Sequence, residues 1–250
     1  MIREPFVNEA SPFQRLDPRL RILMATAFAF VTALSDRFSA LVPGLVASII
    51  LIGFSGLQVR NVLKRLMLVN GFVLFLWLVV PMTFPGAPLF DLGPLTATRE
   101  GVLVSARIAI KCNAILLSFI ALVAVSPVAT LGAALARMGI PEKIVFLLLM
   151  SYRYIFVMET EYQRLARSAA VRGFRPSTSI HTYRTFAYLI GMLFVRASAR
   201  AERVYMAMLC RGFSGRFHCM QEFSFSRKDG IWAGCMTIAL FGLGILEWMG

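Results

Sequence analysis

The residues best suited to specific chemistry are two arginines set in near-repeats. Ala169-Ala170-Val171-Arg172-Gly173-Phe174 and Met208-Leu209-Cys210-Arg211-Gly212-Phe213 place them 39 residues apart. A guanidinium is a planar fork of donors that matches a carboxylate on another protein. There is also a purely local reading. Gly just past a helix end adopts the left-handed conformation that satisfies the last carbonyls, and Arg in the last turn faces the negative end of the helix dipole. Capping explains one Arg-Gly well. It explains less well two copies, each followed by Phe and each ending a helix with a basic trailing half. The pattern therefore favours docking points for a soluble partner, drawn from Ala170, Arg172, Gly173, Phe174, Arg211, Gly212 and Phe213.

Other reactive sets are missing from the sequence. No G-x-x-x-x-G-K-[ST] is present to cradle nucleotide phosphates, and no H-E-x-x-H. The only histidines are His181 and His218, and Cys112, Cys210, Cys219 and Cys235 form no C-x-x-C pair. The expectation is free thiols, no metal site, no cofactor and no catalytic machinery. Arg153, in Ser151-Tyr152-Arg153-Tyr154, stands where apolar sequence turns polar. It reads as a snorkelling boundary residue or as the partner of an acid in a membrane bundle. Glu159 and Glu161 precede Arg164 at spacings that support a helix internally. Arg107 and Lys111 lie one turn apart in an apolar helix, either as functional intramembrane charges or as snorkelling cations.

The elements that hold these residues are membrane helices. The 250 residues are 58% hydrophobic and carry a formal charge of +13, with a mean hydropathy of +0.72. Such composition points to an all-α polytopic membrane protein. Ser151 to Lys228 holds 13 Lys and Arg against 4 Glu, too charged to lie in lipid throughout. Residues 1–17 form an arm without the apolar core of a signal peptide. Asp17 can then cap a helix that begins at Pro18. The apolar runs are Ile22–Leu34, Leu41–Leu57, Leu66–Phe84, a helix from about Thr98 to Val125, and Ile231–Trp248. The first run is short for a bilayer. Gln58–Arg65 reads as a basic cytoplasmic segment and 85–94 as an external turn-rich loop.

After Ser126-Pro127 comes a short helix at Leu131–Met138. A long helix follows from Pro141 to Arg172, then a linker, and a second long helix from His181 to Arg211. The second carries Arg196, Arg200, Glu202 and Arg203 in its wet half. About five spans plus a cytoplasmic block of one short and two long helices satisfy the positive-inside rule with the N-terminus inside. The domain division is an arm at 1–17, four spans in 18–125, a coupling block at 126–228 and a last span in 229–250. Counting the greasy halves of the two long helices as spans would give seven.

This order of short motifs resembles a known family. Leu16-Asp17-Pro18-Arg19, Thr98-Arg99-Glu100-Gly101, Ser126-Pro127, Leu135 to Pro141, Tyr152-Arg153-Tyr154 and the two Arg-Gly ends look like the transmembrane T component of energy-coupling factor transporters. The nearest likeness is to the CbiQ type of cobalt uptake. The family pattern at the docking ends is Ala-Arg-Gly; here Val171 and Cys210 replace the Ala. The resemblance implies that the two long helices couple two ATP-binding-cassette ATPases to a membrane subunit that captures substrate. Arg153, Arg164, Arg203, Arg107 and Lys111 would then serve coupling or bundle roles. ATP and Mg would bind in the partner ATPases and not in this chain, which would be a non-catalytic subunit of the bacterial inner membrane. Cobalt, nickel or a vitamin could be the cargo. The competing reading is a self-contained secondary transporter or other multispan protein. Nucleic-acid binding is not expected, because the basic residues belong to helices that leave the membrane.

Overall fold

The computed structural model describes Phe13 and residues 16–85, 88–92, 95–214 and 225–249. Among the described residues there are eight helices and one β-hairpin. In chain order they are α1 (Pro18–Leu34), α2 (Phe38–Ser55), α3 (Val59–Thr83), β1 (Pro88–Leu92), β2 (Leu95–Thr98), α4 (Arg99–Leu122), α5 (Val128–Arg137), α6 (Glu142–Val171), α7 (Ile180–Cys210) and α8 (Arg227–Met249). The chain divides into two compact units. The described residues of one run to Ala134 and resume at Phe225; those of the other run from Leu135 to Ser214.

The first unit is a bundle around α4, which packs on α1, α2 and α3, while α8 packs on α1 and α2. Small residues on α4 (Ser105, Ala114, Ser118 and Ala121) are buried, so neighbouring backbones approach closely. Met24, Ala25 and Phe28 of α1 meet Leu51, Ala121, Leu122, Met236 and Leu240 in one apolar cluster. Buried hydroxyls bond within their own helices, as Ser105 does to the Gly101 carbonyl at 2.8 Å and Ser48 to that of Leu45 at 2.7 Å. These serines are thereby satisfied in a low-dielectric interior, whereas the buried Ser126 hydroxyl and the Arg21 Nε and Nη1 have no hydrogen-bond partner among the described residues.

Four helices, α2, α3, α4 and α8, are long and apolar enough to cross a membrane. The 17 residues of α1 span about 26 Å, as its short apolar run predicts. Two differences from the sequence reading stand out. The basic stretch 58–65 is no separate segment, because α3 begins at Val59 and carries Arg60, Lys64 and Arg65 in its first two turns. The stretch that the sequence reading places outside contains an antiparallel strand pair, Leu92 opposite Leu95 and Pro88 opposite Thr98, where turn residues alone suggested a loop.

Charged residues tie the bundle together at both of its ends. At one end α1 and α8 start side by side. Asp17 accepts from the Arg19 amide at 3.0 Å. Asp229 accepts from the Ser226 amide at 2.8 Å, as the third residue of a capping box does, and from the Asp17 amide at 3.3 Å. Arg21, 2% exposed, is attracted by both carboxylates.

At the other end Glu247 of α8 accepts from the Asp36 and Arg37 amides at 3.0 and 3.2 Å. It thereby caps α2, whose own N-cap residue makes no side-chain bond. Lys111 donates to the Ala33 carbonyl at 2.9 Å and to Asp36 at 2.8 Å. Arg107 lies 5.4 Å from the centre of the Phe38 ring. Lys111 is thus level with the α1–α2 turn, and about 18 Å of α4 precedes it. Its ammonium, bonded to Asp36, holds that carboxyl below the usual carboxylate range.

Where α3 hands over to α4, the two backbones approach closely. Thr98 donates to the carbonyls of Pro81 and Phe84 at 3.2 and 2.8 Å and accepts from the Gly101 amide at 3.3 Å. A Cβ on Gly101 would stand 2.6 Å from the Pro81 Cα.

Three outcomes follow for thermal unfolding in detergent. Asp229→Ala removes the acceptor of the Ser226 and Asp17 amides and one of two carboxylates near Arg21, and costs about 1–2 kcal/mol, whereas Glu247→Ala removes a cap and costs about 1 kcal/mol. Gly101→Ala forces backbone against backbone and costs about 1–3 kcal/mol; an unchanged melting temperature would contradict the packing described.

Candidate functional site

The second unit is built from α6 and α7, of 30 and 31 residues, about 45 Å each. Pro141 precedes α6 and Glu142 occupies its first turn, where a carboxylate favours the positive helix end. Ser179 caps α7 by accepting from the Thr182 amide at 3.3 Å. Nothing interrupts either helix until its Arg-Gly end.

The two ends are closed in the same way. The Gly173 amide donates to the Ala170 carbonyl at 3.0 Å, and the Phe174 amide to that of Ala169 at 3.1 Å. The Gly212 amide donates to the Leu209 carbonyl at 3.0 Å, and the Phe213 amide to that of Met208 at 3.1 Å. This pair of bonds is the Schellman motif, with Gly173 at φ 85° and Gly212 at φ 79°. A residue with a Cβ would be strained there by its backbone alone, since no atom within 4 Å would meet the added carbon. Arg172 and Arg211 occupy the C-cap positions, and both side chains are exposed. The residue before each, Val171 and Cys210, is also exposed, so loss of the family's Ala crowds nothing within the described residues.

Each Phe then turns back onto the unit. Phe174 stacks edge-on against Phe186 of α7 at 5.8 Å and against His181 at 6.4 Å. Phe213 meets Phe146 of α6 at 6.1 Å. The Arg-Gly-Phe triplet therefore divides its labour. Gly makes the turn, Phe anchors it, and Arg is left facing outward.

Glu161 joins the two helices. It is 7% exposed, and Arg196 of α7 donates to it. Arg164 lies at 3.6 Å and Arg200 at 3.9 Å. The spacing argument finds Arg164 but misses both α7 partners. The hydrogen bond from Arg196, helped by the charges of Arg164 and Arg200, holds the Glu161 carboxyl below the usual glutamate range. On one side of this crossing opens a groove of about 410 Å³, lined by Phe146, Met150, Tyr154, Met158, Val204 and Met208, with Arg200 on its wall.

Arg153 and Arg203 are exposed, while Arg107 and Lys111 belong to the bundle described above. Cys112, Cys210 and Cys235 are free thiols. Cys219 and His218 lie outside the described residues. Among the described residues no group of three or more His, Cys, Asp or Glu could hold a metal.

Because the Glu161 carboxyl titrates lower when folded than unfolded, its contribution is fully present above the unfolded value of about 4.3. It is lost as pH falls through the lower folded value. The difference in thermal stability between the wild type and Glu161→Gln should be constant above that range and vanish in more acidic solution. A difference independent of pH would refute the assignment.

With this geometry in place, comparison with known proteins becomes informative. The model of the CbiQ family, described as "Cobalt transport protein", matches residues 9–221. The chain is 26% identical over 225 residues to the energy-coupling factor transporter transmembrane protein EcfT of Thermosediminibacter oceani, covering 84% of this chain and 83% of that one. It is 24% identical to EcfT of Ruminiclostridium cellulolyticum, covering 100% and 99%. It is 27% identical to EcfT of Brevibacillus brevis, covering 96% and 95%. A family match across most of the chain, relatives aligned nearly end to end and four membrane-length helices lead to one assignment: the chain belongs to the EcfT/CbiQ family, the multipass transmembrane T component of energy-coupling factor transporters.

Proposed function

We propose that this chain is the non-catalytic coupling scaffold of an ATP-driven importer, and that cobalt ions are its cargo. Arg172 and Arg211 each dock on one of two ATP-binding-cassette ATPase subunits, which bind and hydrolyse ATP with Mg. A third partner, a membrane subunit, captures the substrate. The chain lies in the bacterial inner membrane with its N-terminus and residues 126–228 on the cytoplasmic side.

One observation carries this reading. Two helix ends 39 residues apart are closed by the same hydrogen bonds and present the same outward guanidinium. A cap needs only the glycine and the carbonyls. The exposed arginines contribute a charged fork suited to an acidic seat on another protein. The orientation is supported by the basic residues at the start of α3 and through 151–228, since Lys and Arg concentrate on the cytoplasmic side. It agrees with α1 and α8 starting at the same end of the bundle. Cobalt is taken from the family's description and not from a site in this chain; nickel or a vitamin remains the competing cargo, decided by uptake measured with each. Lys111 is engaged by Asp36 and Ala33, which speaks against its lining a transport path in a self-contained transporter.

The test is Arg172→Glu with Arg211→Glu. Membrane insertion should be normal, while ATPase co-purification and ion uptake both fall at least tenfold. Each single reversal should give a partial loss. Normal co-purification and uptake in the double variant would overturn the proposal.

A further inference from the structure

We infer that Glu161 is a positioning residue: it pins the crossing of α6 and α7 and so fixes the separation of the two Arg-Gly ends. This rests on the docking role proposed for those ends and adds a requirement. Two tips that must seat in two subunits of one motor have to be held at one spacing.

The packing shows why a pin is needed. Over its 30 residues α6 buries only Val145, Glu161 and Leu165, and α7 buries only Thr182. The open groove beside the crossing removes apolar contact from one flank. Apolar contact is also non-directional, so sparse burial lets two rods swing. A carboxylate gripped by guanidinium forks is directional. All the ion pairs among the described residues of this unit end on Glu161: Arg164 along its own helix, Arg196 and Arg200 across on α7. The tips lie at the far ends of these rods. Glu161 is 11 residues, about 17 Å, from Arg172, and Arg196 is 15 residues, about 23 Å, from Arg211. A small change of crossing angle at the pin therefore becomes a displacement of several ångströms at each tip.

The experiment uses the full chain in detergent, without any ATPase. Spin labels are placed on Cys210 and on Val171→Cys, with Cys112, Cys219 and Cys235 replaced by Ser. Pulsed electron spin resonance then reads the distance distribution between the tips. The wild type should give one narrow peak. Glu161→Gln should at least double its width while helix content by circular dichroism stays the same. The exchange Glu161→Arg with Arg196→Glu restores an ion pair across the crossing and should narrow the peak again. In cells carrying the partner subunits, ion uptake should fall at least fivefold in Glu161→Gln and recover in the exchange. An unbroadened peak in Glu161→Gln, or a peak that stays broad in the exchange, overturns the pin. A broadened peak with unchanged uptake overturns its role in coupling. The distance measurement contains no ATPase, so failure of the docking proposal leaves its result intact, and the converse holds.

Discussion

Every helix end leaves amides or carbonyls without an intrahelical partner, and in a membrane protein much of the surroundings cannot supply one. This constraint organises the molecule. In the bundle, three polar side chains meet it from outside the helix they serve. Asp229 reaches from α8 to the amide of Asp17 before α1, Glu247 reaches from α8 to the start of α2, and Lys111 reaches from α4 to the carbonyl of Ala33 at the end of α1. The groups that look out of place in apolar sequence are therefore the ones that finish the helices. Thr98 does the same at the handover from α3 to α4, serving the carbonyls of Pro81 in α3 and of Phe84 just after it, and an amide of α4.

In the α6–α7 unit the same constraint is met differently. Both long helices close on themselves through glycine, so no side chain from elsewhere is spent on their C-terminal carbonyls. The arginine at each cap is then free to point outward, and the phenylalanine that follows packs back. Self-closure is what makes a helix end available as a tool. The rods that carry these ends share little apolar surface, and a single acid with three guanidinium neighbours gives their crossing its direction.

Where the determinant is local, the sequence is a good guide. Asp17-Pro18 starts α1, Thr98 to Gly101 starts α4, Pro141 starts α6, and Arg-Gly stops α6 and α7, each within about a residue. These signals act over three or four positions and need no knowledge of the fold. The partners of Glu161 show the limit. Arg164 is visible by helical spacing, whereas Arg196 and Arg200 are 35 and 39 residues away and meet it only because two helices cross. Glu247 and Asp229 serve amides about 210 residues distant, which no spacing rule can find. Arg107 and Lys111 were conspicuous in the sequence as charges in an apolar helix. Their surroundings, Phe38 for one and Asp36 with Ala33 for the other, depend on α1 and α2 being shorter than α4. The hairpin at 88–98 was hidden by the abundance of turn formers around two short strands.

The reach of Glu247 back to the α1–α2 turn bears on how the protein is made. Residues 36 and 37 emerge early, and the carboxylate that completes the start of α2 is translated 211 and 210 residues later. At a synthesis rate of about 5–20 residues per second, the nascent bundle waits roughly 10–40 s with that turn unfinished. During this interval the first helices must be sheltered by lipid or by the insertion machinery. The α1–α2 turn is therefore completed only once α8 has been made and set beside it.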